Sequence, residues 1–147
     1  MKIALVCSHG GHLTELNFLS DAFNNHETFY IANDSIRTRD LDEPKYLVDP
    51  IETSPLNMAK AFYQIGRIMY RERPTAVIST GAEIAIPAFI WAQVLSIESI
   101  YIESWCRTET ISTTAKVVYP LSDLFLVQWP DLVDEAGEKA KYVGSVL

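Results

Sequence analysis

Short, unbroken apolar runs recur along the chain, and a helical or turn-like stretch follows each of them. KIALVC (2–7), HETFYIAN (26–33), YLVD (46–49), TAVIS (75–79), SIYIES (99–104), DLFLVQ (123–128) and KYVG (141–144) read as strands, rich in β-branched and aromatic residues. Between them, apolar residues fall three or four apart, as at Leu13, Leu16, Leu19 and Phe23, or Met58, Phe62, Ile65 and Met69. Strands that alternate with helices make a parallel sheet, because a parallel pair needs a crossover long enough to hold a helix. The runs are apolar throughout, as in strands covered on both faces. The expected fold class is therefore α/β, a doubly wound and mostly parallel sheet, in one domain spanning 1–147. No Gly- or Ser-rich linker, internal repeat or low-complexity segment divides it.

Helices are expected over 13–23, 56–73, 82–96 and 111–121, with a short acidic one over 131–138. NDSIRTRDLDEPK (33–45) reads as a charged loop. The helix over 56–73 is amphipathic: opposite its apolar face it carries Lys60, Gln64, Arg67 and Arg71, and it stops before Pro74. The segment 75–97 is apolar enough to raise the question of a bilayer span, which takes about 20 residues. Thr80-Gly81 and Pro87 break it into strand, turn and buried helix, so any membrane would be met through a surface patch or a partner. The net charge of −7 excludes a general nucleic-acid binder, which needs a basic face. Cys7 and Cys106 are far apart, without CxxC spacing or a signal peptide, and read as thiols of a reducing compartment; neither they nor the histidines have zinc-ligand spacing, so no metal is expected.

In open α/β sheets ligands bind beyond the carboxyl ends of the strands, and three of those ends carry unusual residues. In CSHGGH (7–12), Gly10 and Gly11 are expected to allow positive φ and a close backbone approach, and the following helix turns its free N–H groups toward a phosphate. His12 stands at that helix start; the alternative is a tight turn with His12 merely exposed. No GK[ST] follows, so this is not a P-loop, and GxGxxG is absent although Asp34 follows the second strand. Cys7 closes an apolar run and is expected to be buried, which disfavours a Cys7–His12 nucleophile pair. At STGAEIAIP (79–87), Thr80-Gly81 repeats the device, and Glu83 is read either as complementing the helix dipole or as a carboxylate facing a sugar hydroxyl. At ESWCRTET (103–110), Glu103, Trp105 and Arg107 cluster: the indole suits a sugar face and the guanidinium a pyrophosphate, against the alternative of a salt-bridged loop. Lys60, Arg67 and Arg71 suit anionic headgroups, or form an ordinary solvated face.

The GGH turn, STGAEIAIP, YIESWCR, YPLSDLFLVQWPDL and the ending YVGSVL, in that order, resemble the asparagine-linked glycosylation 14 family, which includes the PssD-like proteins of bacterial polysaccharide synthesis. The glycine turn is also similar to the first loop of the lipid I N-acetylglucosaminyltransferase of peptidoglycan synthesis. The resemblance implies the Rossmann-like N-terminal half of a GT-B glycosyltransferase whose two halves are separate chains. It implies that this half binds a polyprenyl-pyrophosphate-linked saccharide and recruits a catalytic partner, which mainly holds the UDP-sugar (N-acetylglucosamine or another hexose). On that reading Ser8, Gly10, Gly11, Thr80, Gly81, Glu103, Trp105 and Arg107 contact substrate, and His12 or Glu83 takes the acceptor's proton. Lys60, Arg67 and Arg71 face the membrane, and the chain needs no cofactor of its own. Related eukaryotic chains begin with a hydrophobic anchor; this one begins at its first strand, so peripheral attachment at the cytoplasmic face is expected. The alternatives are a scaffold that only stabilises and localises the transferase, and a free-standing α/β nucleotide-binding enzyme.

Overall fold

A computed structural model describes residues 1–146. Its sheet is wholly parallel, with seven strands in the order β3-β2-β1-β4-β5-β6-β7. The strands are β1 (Lys2–Cys7), β2 (Glu27–Asn33), β3 (Lys45–Val48), β4 (Ala76–Ser79), β5 (Glu98–Ile102), β6 (Leu124–Val127) and β7 (Ala140–Tyr142). The helices are α1 (Gly11–Phe18), α2 (Ile36–Arg39), α3 (Pro55–Glu72), α4 (Ala85–Leu95), α5 (Thr113–Val118) and α6 (Leu132–Ala136). Strand order reverses between β1 and β4, whose pairing runs from Ile3–Ala76 to Val6–Ser79. That reversal opens a crevice at the carboxyl edge.

Strand pleating divides the core. Ala4, Val6, Ile31, Val77, Tyr101 and Phe125 face α3, α4 and α5, whereas Ile3, Leu5, Cys7, Tyr30 and Ile78 face Leu13 and Leu16 of α1. The apolar faces of α3 and α4 meet where Gly66 lies against the Trp91 ring; a Cβ there would fall 2.3 Å from it. The Trp91 indole N–H donates to the Phe62 carbonyl at 2.8 Å, which fixes that ring over the glycine. Helix α3 starts at Ser54, whose hydroxyl accepts the Asn57 N–H, and ends at Arg73 in the left-handed region before Pro74. At its last residue, Glu72 accepts from Lys2 at 2.5 Å and from the Tyr46 hydroxyl, tying the helix to β1 and β3. The Lys2 hydrogen bond, seconded by Tyr46, holds the Glu72 carboxyl below its usual range.

Several boundaries differ from the sequence reading. The helix expected over 13–23 ends at Phe18 and continues as a 3-10 turn over Ser20–Phe23, because Leu19 leaves helical geometry. Inside the expected charged loop, Ser35 and Thr38 cap each other's backbone N–H groups and make the single turn α2. The helix expected over 82–96 begins only at Ala85, since Gly81 and Ala82 are left-handed. The one expected over 111–121 is α5 plus a 3-10 turn over Tyr119–Leu121. The apolar segment 75–97 is β4, a turn and the eleven-residue α4; no helix among the described residues is long and apolar enough to cross a membrane.

Candidate functional site

Beyond the carboxyl ends of β1, β4 and β5 lies a cavity of about 500 Å³. Helix α1 contributes Gly11, His12 and Glu15, the turn after β4 contributes Ala82 and Glu83, and the segment after β5 contributes Glu103, Ser104, Cys106 and Arg107; Ser112 to Thr114, at the start of α5, close it. The fold thus brings together five residues expected at the site: Gly11, His12, Glu83, Glu103 and Arg107.

His12 is clamped from behind. The Thr80 hydroxyl donates to the His12 carbonyl at 2.7 Å. Gly81, at φ +130°, lies so close to the imidazole that a Cβ would fall 2.6 Å from its Cε1. Glycine is required here twice over, by its backbone conformation and by the ring against it. His12 Nδ1, on the side of the ring packed against Gly81, is buried without a hydrogen-bond partner.

The first glycine turn works differently from the expectation. Neither Gly10 nor Gly11 has positive φ, and a Cβ on either would meet nothing within 4 Å. What the pair provides is open space beside the start of α1, whose N-cap residue Gly10 offers no side-chain cap. The first N–H groups of that helix are therefore free for an anion. Ser8 is half-buried at the end of β1.

Glu83 is exposed and precedes the N-cap residue of α4, so the dipole-complementing reading, which put it in the first helical turn, is replaced by a carboxylate on the rim of the cavity. Glu103, 1% exposed, is committed to backbone: its Oε1 accepts the Ser104 N–H at 2.9 Å and its Oε2 the Ser112 N–H at 2.7 Å. It therefore braces the β5–α5 segment. No Glu103–Arg107 ion pair forms among the described residues, so the salt-bridged-loop reading has no support. Trp105 does not line the cavity; its backbone carbonyl accepts the Trp129 indole N–H at 2.6 Å, and both indoles are partly exposed. Cys7 is buried, which pushes its thiol up to about 12 and removes it as a nucleophile. Asp34 is held by Arg39 through hydrogen bonds of 2.6 and 2.8 Å, which lower its carboxyl and occupy the group a dinucleotide ribose would need.

Sequence reasoning missed Glu15, the one charged residue besides Glu103 that is fully buried among the described residues. Ser104 donates to its Oε1 at 2.7 Å and Gln128 to its Oε2 at 3.0 Å. Burial pushes this carboxyl above its ordinary range, opposed first by the Ser104 hydrogen bond and then by the His12 charge. The signal was spacing: Glu15 lies three residues after His12, on the same face of one helix.

Lys60, Arg67 and Arg71 lie elsewhere, in a groove of about 530 Å³ between α3 and the edge strand β3, together with Tyr46 and Tyr63. Lys60 pairs with Asp49, and Arg71 reaches Glu72 and the Tyr46 hydroxyl. Arg67 lies 5.9 Å from the Tyr63 ring, and Arg73 5.2 Å from that of Tyr70.

The family described as "Oligosaccharide biosynthesis protein Alg14 like" matches residues 24–146. The Homo sapiens UDP-N-acetylglucosamine transferase subunit ALG14 is 27% identical over 183 aligned positions, covering 100% of this chain and 83% of that protein. The Rattus norvegicus protein of the same name is 36% identical over 86 residues, 54% of this chain and 39% of that one. Among solved structures, Acinetobacter baumannii MurG superimposes with a TM-score of 0.81 at 16% identity, covering 97% of this chain and 45% of MurG. A UDP-GlcNAc 2-epimerase from Neisseria meningitidis, bound to UDP-GlcNAc, gives 0.77 at 13% identity, covering 99% of this chain and 47% of the enzyme. At these identities the likeness is one of fold, and this chain spans less than half the length of either solved chain.

Proposed function

The chain belongs to the Alg14-like family of oligosaccharide biosynthesis proteins, and we propose that it is the acceptor-binding, membrane-recruiting subunit of a two-chain glycosyltransferase. The fold is that of one Rossmann-like half of a GT-B enzyme, and relatives along most of its length are named UDP-N-acetylglucosamine transferase subunits. The observation that carries the reading is His12, wedged between Gly81 and an open cavity with a buried, unpartnered nitrogen.

The chemistry divides naturally across the site. A pyrophosphate fits the uncapped start of α1, where the space beside Gly10 and Gly11 is open. The cavity itself carries Glu15, Glu83 and Glu103 against Arg107 and His12, a lining suited to saccharide hydroxyls rather than to a diphosphate. The UDP-sugar, N-acetylglucosamine by the relatives' names, is then held mainly by the partner chain. When the acceptor hydroxyl attacks the anomeric carbon, the bond to UDP breaks with its electron pair leaving on UDP, and His12 takes the hydroxyl proton. Trp105 and Trp129, partly exposed on the segments after β5 and β6, offer indole faces for a sugar to stack on.

Binding tests this assignment. The isolated chain should retain a short-chain polyprenyl-pyrophosphate-linked N-acetylglucosamine and release UDP-N-acetylglucosamine, with at least a roughly tenfold difference in Kd. Tighter binding of the UDP-sugar would favour the free-standing nucleotide enzyme.

Attachment at the cytoplasmic face is proposed through α3. Its exposed side carries Leu56, Tyr63, Tyr70, Arg67 and Arg73, an amphipathic edge with cations stacked on rings. Cosedimentation with phosphatidylglycerol vesicles should fall as salt rises. Replacing Lys60, Arg67 and Arg71 with Gln should weaken it roughly tenfold, less than three free cations would give, since Lys60 and Arg71 already have anionic neighbours. Equal recovery of wild type and triple variant at low salt removes α3 from the membrane contact.

A further inference from the structure

Resting on the transferase reading, we infer that Glu15 is a positioning residue for His12: its buried carboxylate offsets the positive charge that His12 takes on with the acceptor's proton. Both residues line the cavity, three positions apart on α1. Glu15 is 1% exposed, and every side chain bonded to it donates: Ser104 from the end of β5 to one oxygen, Gln128 from the end of β6 to the other. The donors are themselves oriented. Ser104 Oγ accepts the Cys106 N–H at 3.4 Å. Gln128 Oε1 accepts the Val146 N–H at 3.0 Å, which turns its amide N–H groups toward Glu15 and the Glu103 carbonyl. A carboxylate surrounded only by donors is set up for its charged form. Yet no Lys or Arg pairs with it among the described residues; the basic side chain that shares its helix face and cavity wall is His12.

A buried carboxylate without a counter-ion costs stability, and a leucine there would pack more cheaply. Because burial raises the Glu15 carboxyl, its contribution to stability is present below the ordinary carboxylate range and is lost as pH rises through the raised value. The charge is thus a burden on the fold at neutral pH, when proton transfer to His12 would need it. The other ionisable groups lining the cavity do not substitute for it. Both Glu103 oxygens are bound by backbone N–H groups, Glu83 is exposed on the rim, Cys106 is a thiol on the loop, and Arg107 has the wrong sign. In the transfer step the hydroxyl proton moves to the imidazole, the new C–O bond forms as the C–O bond to UDP breaks, and Glu15 keeps its charge throughout. Its role is electrostatic, exerted through space rather than through a hydrogen bond to the ring.

A double-mutant cycle on the complex with its partner subunit tests the inference, with melting temperature measured alongside. Glu15→Gln, nearly isosteric, should melt no lower than wild type at pH 7. It should lower kcat at least about tenfold with KM little changed. In a His12→Ala background the same substitution should cost less than about twofold, because it acts through the histidine. If His12→Ala is slow but Glu15→Gln turns over at the wild-type rate, or costs the same in both backgrounds, the positioning role is overturned and the transferase reading stands. If His12→Ala turns over like wild type, the inference fails, and Glu83→Gln then decides whether the chain supplies a base at all. Should Glu15→Gln not fold, Ser104→Ala keeps the charge but removes a donor: a loss confined to the His12 background upholds the inference, and an equal loss in both overturns it.

Discussion

Purified by itself, the chain is expected to transfer no sugar from UDP-N-acetylglucosamine to a polyprenyl-pyrophosphate-linked saccharide, and to do so once a UDP-sugar-binding partner is added. The expected difference is more than about 10³-fold, because bringing donor and acceptor together in one geometry is itself worth several orders of magnitude. The reason lies in what the carboxyl edge of the sheet offers. The anion place beside its cavity of about 500 Å³, at the uncapped start of α1, is assigned to the acceptor's own pyrophosphate, which leaves the nucleotide sugar to the partner. The acidic residue after β2 that a dinucleotide would use is bound by Arg39. A time course of radiolabelled sugar transfer, with and without the partner, decides the matter. Robust turnover by this chain alone would overturn the two-chain reading and favour the free-standing enzyme.

Much of this architecture was legible in the sequence because a parallel sheet with both faces covered leaves a strong trace. KIALVC and TAVIS must be apolar on alternate sides at once, and the structure sends Ala4 and Val6 to one layer, Ile3 and Leu5 to the other. The strand ends were legible for a related reason: glycine, histidine and acid where a run should continue apolar mark a place built for something other than packing. Other features were written in geometry rather than composition. Leu19 fits a helical stripe by spacing yet leaves the helix, because spacing says nothing of where the backbone turns. Gly10 and Gly11 looked like the positions needing positive φ, whereas at this site Gly81 has it, with the ring of a histidine 69 positions earlier in the chain packed against it. Glu103 read as a substrate contact, or else as part of a salt-bridged loop, and turned inward to cap two backbone N–H groups. Glu15 was overlooked because its donors, Ser104 and Gln128, come from strands far along the sequence. A buried acid becomes visible only when those strands are adjacent.

His12→Ala should lower kcat by about 10²- to 10³-fold in the assembled enzyme while leaving the complex and its melting temperature intact, a loss within the range for removing a general base. An imidazole suits the task because it exchanges protons near neutrality. The surroundings specify that ring. Thr80 holds the backbone of His12, Gly81 leaves its ring just enough room, and one nitrogen is buried with nothing to bond. Removal of the ring should not disturb the fold, since His12 is only half-buried and its ring lies against Gly81, in the turn after β4. Gly81→Ala provides an independent check. It strains a position at φ +130° and drives a methyl into the imidazole, so it should lower kcat at least about tenfold although the histidine is still present. Glu83→Gln separates the remaining candidate base: on the exposed rim it should change kcat less than about threefold. If His12→Ala and Glu83→Gln both assemble and turn over at the wild-type rate, the chain supplies no proton acceptor and serves its partner as a scaffold. If Glu83→Gln is slow and His12→Ala is not, the base is the rim carboxylate, and the clamp around the imidazole serves binding alone.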